Sequence, residues 1–274
     1  MNKAAVIIAA YNKHEVFRNV LTGLMRQKVS FPWELCIADD GSDVDLWPII
    51  KETWPKPQNV IYERIAIPKD SPEWELWGSK KKVYSLVSDD VDVIVSLASD
   101  VIMLDNNVIQ KLCEGVGERK FIMAEVFTKK VDPDMYKNFD NWSNEMLSNW
   151  NNFNVQTECF CGKGKPTRWY MFLGALRRKD IDDIDFFNSC DVIYSQKLGG
   201  KFGRNPQDKN PDKPIGRFTV NYPDVRAVHQ MHVSEDVKCH MVEKCRIGCR
   251  RTHAITKKYG RGWQEKVRKG ELVL

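Results

Sequence analysis

VDVIVSLASDVIML, residues 91–104, is the stretch on which the fold turns. Residues 91–97 are rich in β-branched apolar side chains and too few for a helix, which predicts a central strand buried on both faces. The run stops at Ala98, Ser99 and Asp100. Open α/β sheets collect ligands at the carboxyl ends of their strands, so these polar groups stand where a site is expected.

Working outward toward the N-terminus, residues 6–10 read as another short buried strand, followed by a polar turn at 11–13. Phe17, Val20, Leu21, Leu24 and Met25 recur at helical spacing, predicting an amphipathic helix over 14–27. A second strand, 34–38, runs into Asp39, Asp40, Gly41 and Ser42, with Gly41 as turn former and a helix over 45–53. A third strand at 60–67, a Pro- and Trp-containing loop at 68–77 and a helix at 79–87 lead back to the central strand. Strands alternating with helices imply an α/β, doubly wound fold. Downstream the pattern loosens: a strand at 121–127, then a long polar, Asn-rich stretch at 129–165 of the kind that forms lids and loops. A strand at 168–176, a helix at 193–198, a flexible loop at 203–216 and a last strand at 225–231 precede a basic helical tail.

Composition sets the class. The 274 residues, 42% hydrophobic and 29% charged, are those of a globular chain with a substantial core. The longest apolar runs are strand-sized and far shorter than a bilayer span, and no secretory leader precedes the first strand, so a cytoplasmic location is expected. Eight cysteines without a leader argue for reduced thiols. Cys159 and Cys161, with Cys239, His240, Cys245 and Cys249, are either buried or solvent-facing thiols or a structural zinc site, although their spacings do not match common zinc knuckles. The net charge of +5 is uneven, with Lys244, Arg246, Arg250, Arg251, Lys257 and Lys258 among the basic residues of 238–269. That segment is either a solvated helix face or a grip for an anionic partner: a diphosphate, an acidic glycan, a lipid phosphate or nucleic acid.

VIIAAYN at 6–12, IADDGSD at 37–43 and VIVSLASDVIML at 93–104 resemble, in order and spacing, the three donor-site segments of family 2 glycosyltransferases. Residues 9–27, AAYNKHEVFRNVLTGLMRQ, are particularly similar to members of the spore-coat polysaccharide type, and the clear resemblance covers about residues 4–112. It implies a GT-A fold, a mixed central sheet flanked by helices. It also implies a glycosyltransferase that moves a sugar from a nucleotide diphosphate sugar, most simply a UDP-sugar, to an acceptor hydroxyl with inversion, using Mn²⁺ or Mg²⁺. Residues 1–120 would then be the donor-binding half, and 121–274 the acceptor-binding half with its basic tail.

Carried onto these residues, the resemblance has Ala10, Tyr11 and Asn12 lining the nucleobase pocket. Asp40 hydrogen-bonds the base while Asp39 supports the turn. Ser99 and Asp100 fall in the family's Asp-x-Asp site, with Asp100 on the metal; Ala98 stands where the first Asp is usual, which puts the second protein ligand in doubt. The family often has an Arg in the helix before this strand. Here Lys80, Lys81 and Lys82 stand in its place, and Lys81 is taken as the diphosphate contact.

A second segment, IDDIDFFNSCDVIYSQKLGGKFG at 181–203, resembles the acceptor region, which gives Asp182 and Asp183 to acceptor binding and Asp191 the role of general base; Asp191 as a helix N-cap is the bland reading. Cys190 replaces the expected Glu. In AVHQMH at 227–232, His229 and His232 are candidates to complete the metal's ligands, or simply structural histidines. Trp142, Trp150, Trp169 and Tyr170 either stack on sugar rings or pack in the core; Trp169 is assigned to the acceptor. The rival functions are transfer onto a hydroxyl of a nucleic-acid base, a nucleotidyltransferase and a noncatalytic nucleotide-sugar-binding module. A nucleotidyltransferase usually opens with a Gly-rich loop, which AAYNKHE lacks.

Overall fold

The computed structural model describes residues 2–56, 59–65, 78–118, 120–150, 173–183, 214–215, 218–221 and 224–230, with Lys266 and Glu271. Its elements, in chain order, are β1 (Ala4–Ala10), α1 (Phe17–Met25), β2 (Trp33–Asp40), α2 (Trp47–Thr53), β3 (Val60–Ile65), α3 (Gly78–Ser85), β4 (Val93–Leu97), β5 (Val101–Met103) and α4 (Val108–Gly115). There follow β6 (Lys120–Met123), β7 (Glu125–Lys129), a 3₁₀ turn (Met135–Asn138), α5 (Phe139–Ser148), β8 (Leu173–Arg177), α6 (Arg178–Asp183), β9 (Pro214–Ile215), β10 (Phe218–Asn221) and β11 (Arg226–Gln230).

An 8-stranded sheet runs in the order β3-β2-β1-β4-β8-β6-β10-β9. β1, β2, β3 and β4 are parallel, and β8 enters antiparallel between β4 and β6, so the sheet is mixed. Strands from both sides of residue 120 thus share one sheet. The period of two is visible in how β1 is buried: Ala4, Val6, Ile8 and Ala10 enter the core with Phe17, Leu21 and Leu24 of α1, while Ala5 and Ile7 face the opposite layer with Val83 and Val87. A strand covered by helices on both faces reads as a continuous apolar run, which is why the N-terminal strands are legible in the sequence.

A 3-stranded sheet, β5-β11-β7, lies beside the large one. Its β11 pairs antiparallel with β5 and parallel with β7. Ile102, Phe127 and Val228 pack with Phe139, Met146 and Trp150. α1 comes so close to β5 that a Cβ on Gly23 would stand 2.9 Å from the Met103 carbonyl oxygen.

Three expectations need correction. The single strand expected over 121–127 is two strands, because the chain leaves the large sheet at Met123 and joins the small one at Glu125. Ala124 makes the passage, donating its N–H to the Leu173 carbonyl at 3.0 Å, while Glu125 donates to Val225 at 2.9 Å. The polar stretch at 129–165 also contains a helix, α5, held by a narrow apolar face of Phe139 and Met146. Of the flexible loop expected at 203–216, residues 214–215 form β9. Among the described residues no helix is long and apolar enough to cross a membrane. Cys36 and Cys113 are free, buried thiols, and burial, first among the causes, pushes each up to about 12, so both pack as neutral side chains.

Candidate functional site

The carboxyl ends of β1, β2 and β4 converge, and β11 brings a fourth segment to them. Ala10 stands opposite Asp39 in the β1–β2 register. Asp39 is fully buried at the end of β2 and is saturated with donors. One oxygen accepts the Ser42 N–H at 3.0 Å and the Ser42 hydroxyl at 2.5 Å, and the other lies 3.4 Å from the Leu46 N–H and 3.0 Å from the Tyr62 hydroxyl. Its role is to shape the turn, in which Gly41 has φ 62°. Tyr62 also reaches Asp45 at 2.7 Å, stacks on Trp47 and has its phenol raised first by burial and then by these two carboxylates.

The same turn is stitched to the loop after β1. Asn12, held at φ 50°, donates its N–H to the Ser42 hydroxyl at 2.9 Å. Its side chain exchanges two bonds with Asp43, amide to carboxylate at 3.0 Å and backbone N–H to amide oxygen at 2.8 Å. A left-handed backbone is tolerated by Asn because its short amide bonds locally. From the edge strand, Arg64 donates to the Ser42 carbonyl at 2.5 Å. Asp40, the last residue of β2, is buried next to this frame, and Tyr11 is half-buried at the end of β1.

Asp100 is buried with Ser99 in the tight turn between β4 and β5, where the Val101 N–H donates to the Ala98 carbonyl at 3.0 Å. Its Oδ2 faces two cationic or basic groups: the Lys13 ammonium at 3.0 Å and His229 Nε2 at 3.4 Å. The β5–β11 register sets His229 opposite Val101, one residue from Asp100, and the Gln230 N–H donates to the Asp100 carbonyl at 2.8 Å. His229 is 1% exposed, whereas the Lys13 side chain keeps 23% of its surface in solvent. The pair sits in a medium of reduced dielectric, where such contacts are stronger than on the surface.

The sequence-stretch residues Ala10, Tyr11, Asn12, Asp39, Asp40, Ser99 and Asp100 are therefore all at one end of the sheet, together with His229. Of the three lysines, Lys80 is buried and donates to the Ser96 hydroxyl at 3.1 Å, Lys82 pairs with Glu63 at 2.9 Å, and Lys81 is exposed. Asp182 and Asp183 are the last residues of α6. Asp191, Trp169, Tyr170 and His232 lie outside the described residues, as do Cys159, Cys161, Cys239, His240, Cys245, Cys249 and all of the basic segment but Lys266. Trp150 packs edge-on against Phe127 at 4.5 Å and Trp142 lies against Phe139, so both take the core-packing alternative. The residues not foreseen are Lys13, Ser42, Asp43 and Gln230. Lys13 and Asp43 had a signal, being polar residues in loops directly after strands.

The family model described as Glycosyl transferase family 2 matches residues 5–183, well over half of the chain. No curated protein matches it in sequence. Among solved structures, S. aureus TarS 1-349 in complex with UDP-GlcNAc is similar at 12% identity and TM-score 0.51, over 85% of this chain and 60% of that one. The same S. aureus TarS fragment in complex with UDP gives 13% identity and TM-score 0.48, over 91% and 65% respectively. S. aureus TarS itself gives 13% identity and TM-score 0.47, with 84% of this chain but 37% of that chain covered. The chain thus spans less than two thirds of the length of these structures. At such identity the first of these likenesses bears on fold alone, and it agrees with the mixed sheet found here. With the strand-end frame, the buried Asp100 and the match across 5–183, the chain belongs to glycosyl transferase family 2.

Proposed function

We propose that the chain transfers a sugar from a UDP-sugar to an acceptor hydroxyl, inverting the anomeric carbon, with Mg²⁺ or Mn²⁺ as cofactor and in a cytoplasmic setting. The observation that carries the reading is Asp100, a buried carboxylate at a central strand end whose Oδ2 faces Lys13 and His229. The fold shared with the TarS fragment that binds UDP-GlcNAc supports a UDP-sugar as donor.

In this reading Asp40 accepts a hydrogen bond from the base beside Ala10, Tyr11 and Asn12, on the turn that Asp39 holds rigid. Ser99 and Asp100 meet the diphosphate, and Lys81 reaches it from α3. Asp100 and His229 would hold the cation, with His232 as a further candidate. Their donor set fits: one carboxylate oxygen and one imidazole nitrogen suit Mn²⁺, and Mg²⁺ more through the carboxylate. Among the described residues no group of three His, Cys, Asp or Glu converges; in this reading donor phosphates and water complete the coordination, beside His232 if it takes part. When bound, the cation supplies neutralisation of the charge growing on the departing diphosphate.

Asp191 takes the proton of the acceptor hydroxyl as that oxygen bonds to the anomeric carbon and the bond to UDP breaks. One displacement with one base gives inversion. Asp182, Asp183 and Trp169 orient the acceptor, a glycan or another hydroxyl compound, and the basic segment at 238–269 favours an anionic one; nucleic acid is the less favoured form. The test is a donor-hydrolysis screen over nucleotide sugars with Mn²⁺, repeated with EDTA. Slow release of UDP from one UDP-sugar, abolished by EDTA, is expected. No turnover of any UDP-sugar, together with no UDP binding by calorimetry, overturns the reading.

A further inference from the structure

We propose that Lys13 is a phosphate-binding residue of the donor site which, before the donor arrives, serves as the counter-ion of Asp100. The inference deepens the reading above and rests on it. Asp100 is buried, and a buried carboxylate without a compensating charge is strongly disfavoured. The Lys13 ammonium at 3.0 Å supplies that charge in the donor-free chain, on the same Oδ2 that lies 3.4 Å from His229 Nε2. With Asp100 and His229 holding a divalent cation, Asp100 would no longer need Lys13 for its neutralisation, and like charge would turn the ammonium away. The ammonium then needs an anion, and the donor brings two phosphates to the same strand ends.

The loop is built so that only the side chain has to move. The Lys13 carbonyl accepts the Val16 N–H at 3.1 Å and the Phe17 N–H at 2.9 Å, which fixes its backbone to the start of α1. The preceding Asn12 is bound to Ser42 and Asp43. The flexible lysine stem, partly in solvent, is free to turn, and an ammonium is a point charge that serves carboxylate and phosphate alike. One lysine thereby exchanges a protein carboxylate for a substrate phosphate, and cation binding and donor binding become coupled through it.

The experiment measures two affinities in Lys13→Met, which keeps the stem and removes the charge. Mn²⁺ binding without nucleotide is read by electron paramagnetic resonance, and UDP binding at saturating Mn²⁺ by calorimetry. Mn²⁺ should bind at least severalfold more tightly in the variant, because its competitor is gone. UDP should bind about 10-fold or more weakly, the loss of one charge-assisted hydrogen bond. Lys13→Arg, which keeps the charge, should bring both values back toward the parent. Mn²⁺ affinity that is unchanged or lower in a folded Lys13→Met overturns the counter-ion role, and unchanged UDP affinity overturns the phosphate role. A parent chain that binds neither Mn²⁺ nor UDP instead overturns the nucleotide-sugar reading on which both rest.

Discussion

Asn19 and Gln230, 211 positions apart in the chain, meet amide to amide at 2.8 Å in a place from which solvent is fully excluded. The pair spans three elements. Asn19 also donates to the Asp132 carbonyl at 3.0 Å and accepts the Tyr136 N–H at 2.9 Å, while Gln230 donates to the Val16 carbonyl at 3.3 Å. Since the Gln230 N–H is bound to Asp100 as well, this buried amide pair keeps β11, and His229 with it, against the Asp100 turn. Gln230→Leu leaves the Asn19 amide and the Val16 carbonyl short of partners and should destabilise by about 2–3 kcal/mol in urea titration. Adding Asn19→Leu should give a double variant less unstable than the two single losses summed, because the two side chains act as a unit.

Asp100→Ala should abolish Mn²⁺-dependent UDP binding in calorimetry with the melting temperature little changed, and His229→Ala should weaken it by about 10-fold or more, as the proposed role of this imidazole at the cation requires. Unchanged Mn²⁺-dependent affinity in Asp100→Ala removes that residue from the cation site.

Gly23→Ala is a test of packing with a counter-intuitive sign. Within a helix Ala is favoured over Gly by about 1 kcal/mol. Here the new Cβ would meet the Met103 carbonyl oxygen at 2.9 Å and the Ile102 side chain at 3.3 Å. Overpacking of this kind costs about 1–3 kcal/mol, so thermal denaturation should show a lower melting temperature, not a higher one.

Glu34 gives the acid limb of stability. Burial acts to raise its carboxyl, but the Lys3 ammonium at 2.7 Å and two hydrogen bonds from Ser88, at 2.8 and 2.7 Å, outweigh it and hold the group below its ordinary 4.5. A carboxyl depressed in the folded state stabilises fully above its unfolded value and loses that contribution as pH falls through the folded one. Denaturation midpoints should therefore fall below about pH 4.5, and Glu34→Gln should flatten that fall while lowering stability at neutral pH.

The strands at 6–10, 34–38 and 91–97 were legible because each is buried on both faces and so written mostly in apolar residues, with Glu34, Asp92 and Ser96 the exceptions. The break at Ala124 was not, since FIMAEVF carries no Gly or Pro at the point where the chain changes sheets. α5 hid behind its Asn residues, being held by tertiary contacts to the small sheet where its own sequence is polar. At the site, Asp39, Asp40 and Asp100 announced themselves as acids at strand ends. Lys13 did not, because its meaning comes from a carboxylate 3.0 Å away in space, in the turn between β4 and β5. The sequence slightly favours His232 for standing nearer the loop; the β5–β11 register sets His229 opposite Val101, and His232 lies outside the described residues.

That register also orders events at the ribosome. β11 is the middle strand of its sheet, and both neighbours, Val101–Met103 and Glu125–Lys129, are synthesised long before it. Until Arg226–Gln230 emerges, those strands wait with bare edges, the feature of a nascent chain most prone to wrong pairing and to chaperone capture. The same late segment delivers His229, so the histidine that faces Asp100 arrives only after both neighbouring strands have been made. Slower elongation and lower growth temperature should accordingly raise the yield of soluble protein from a recombinant host.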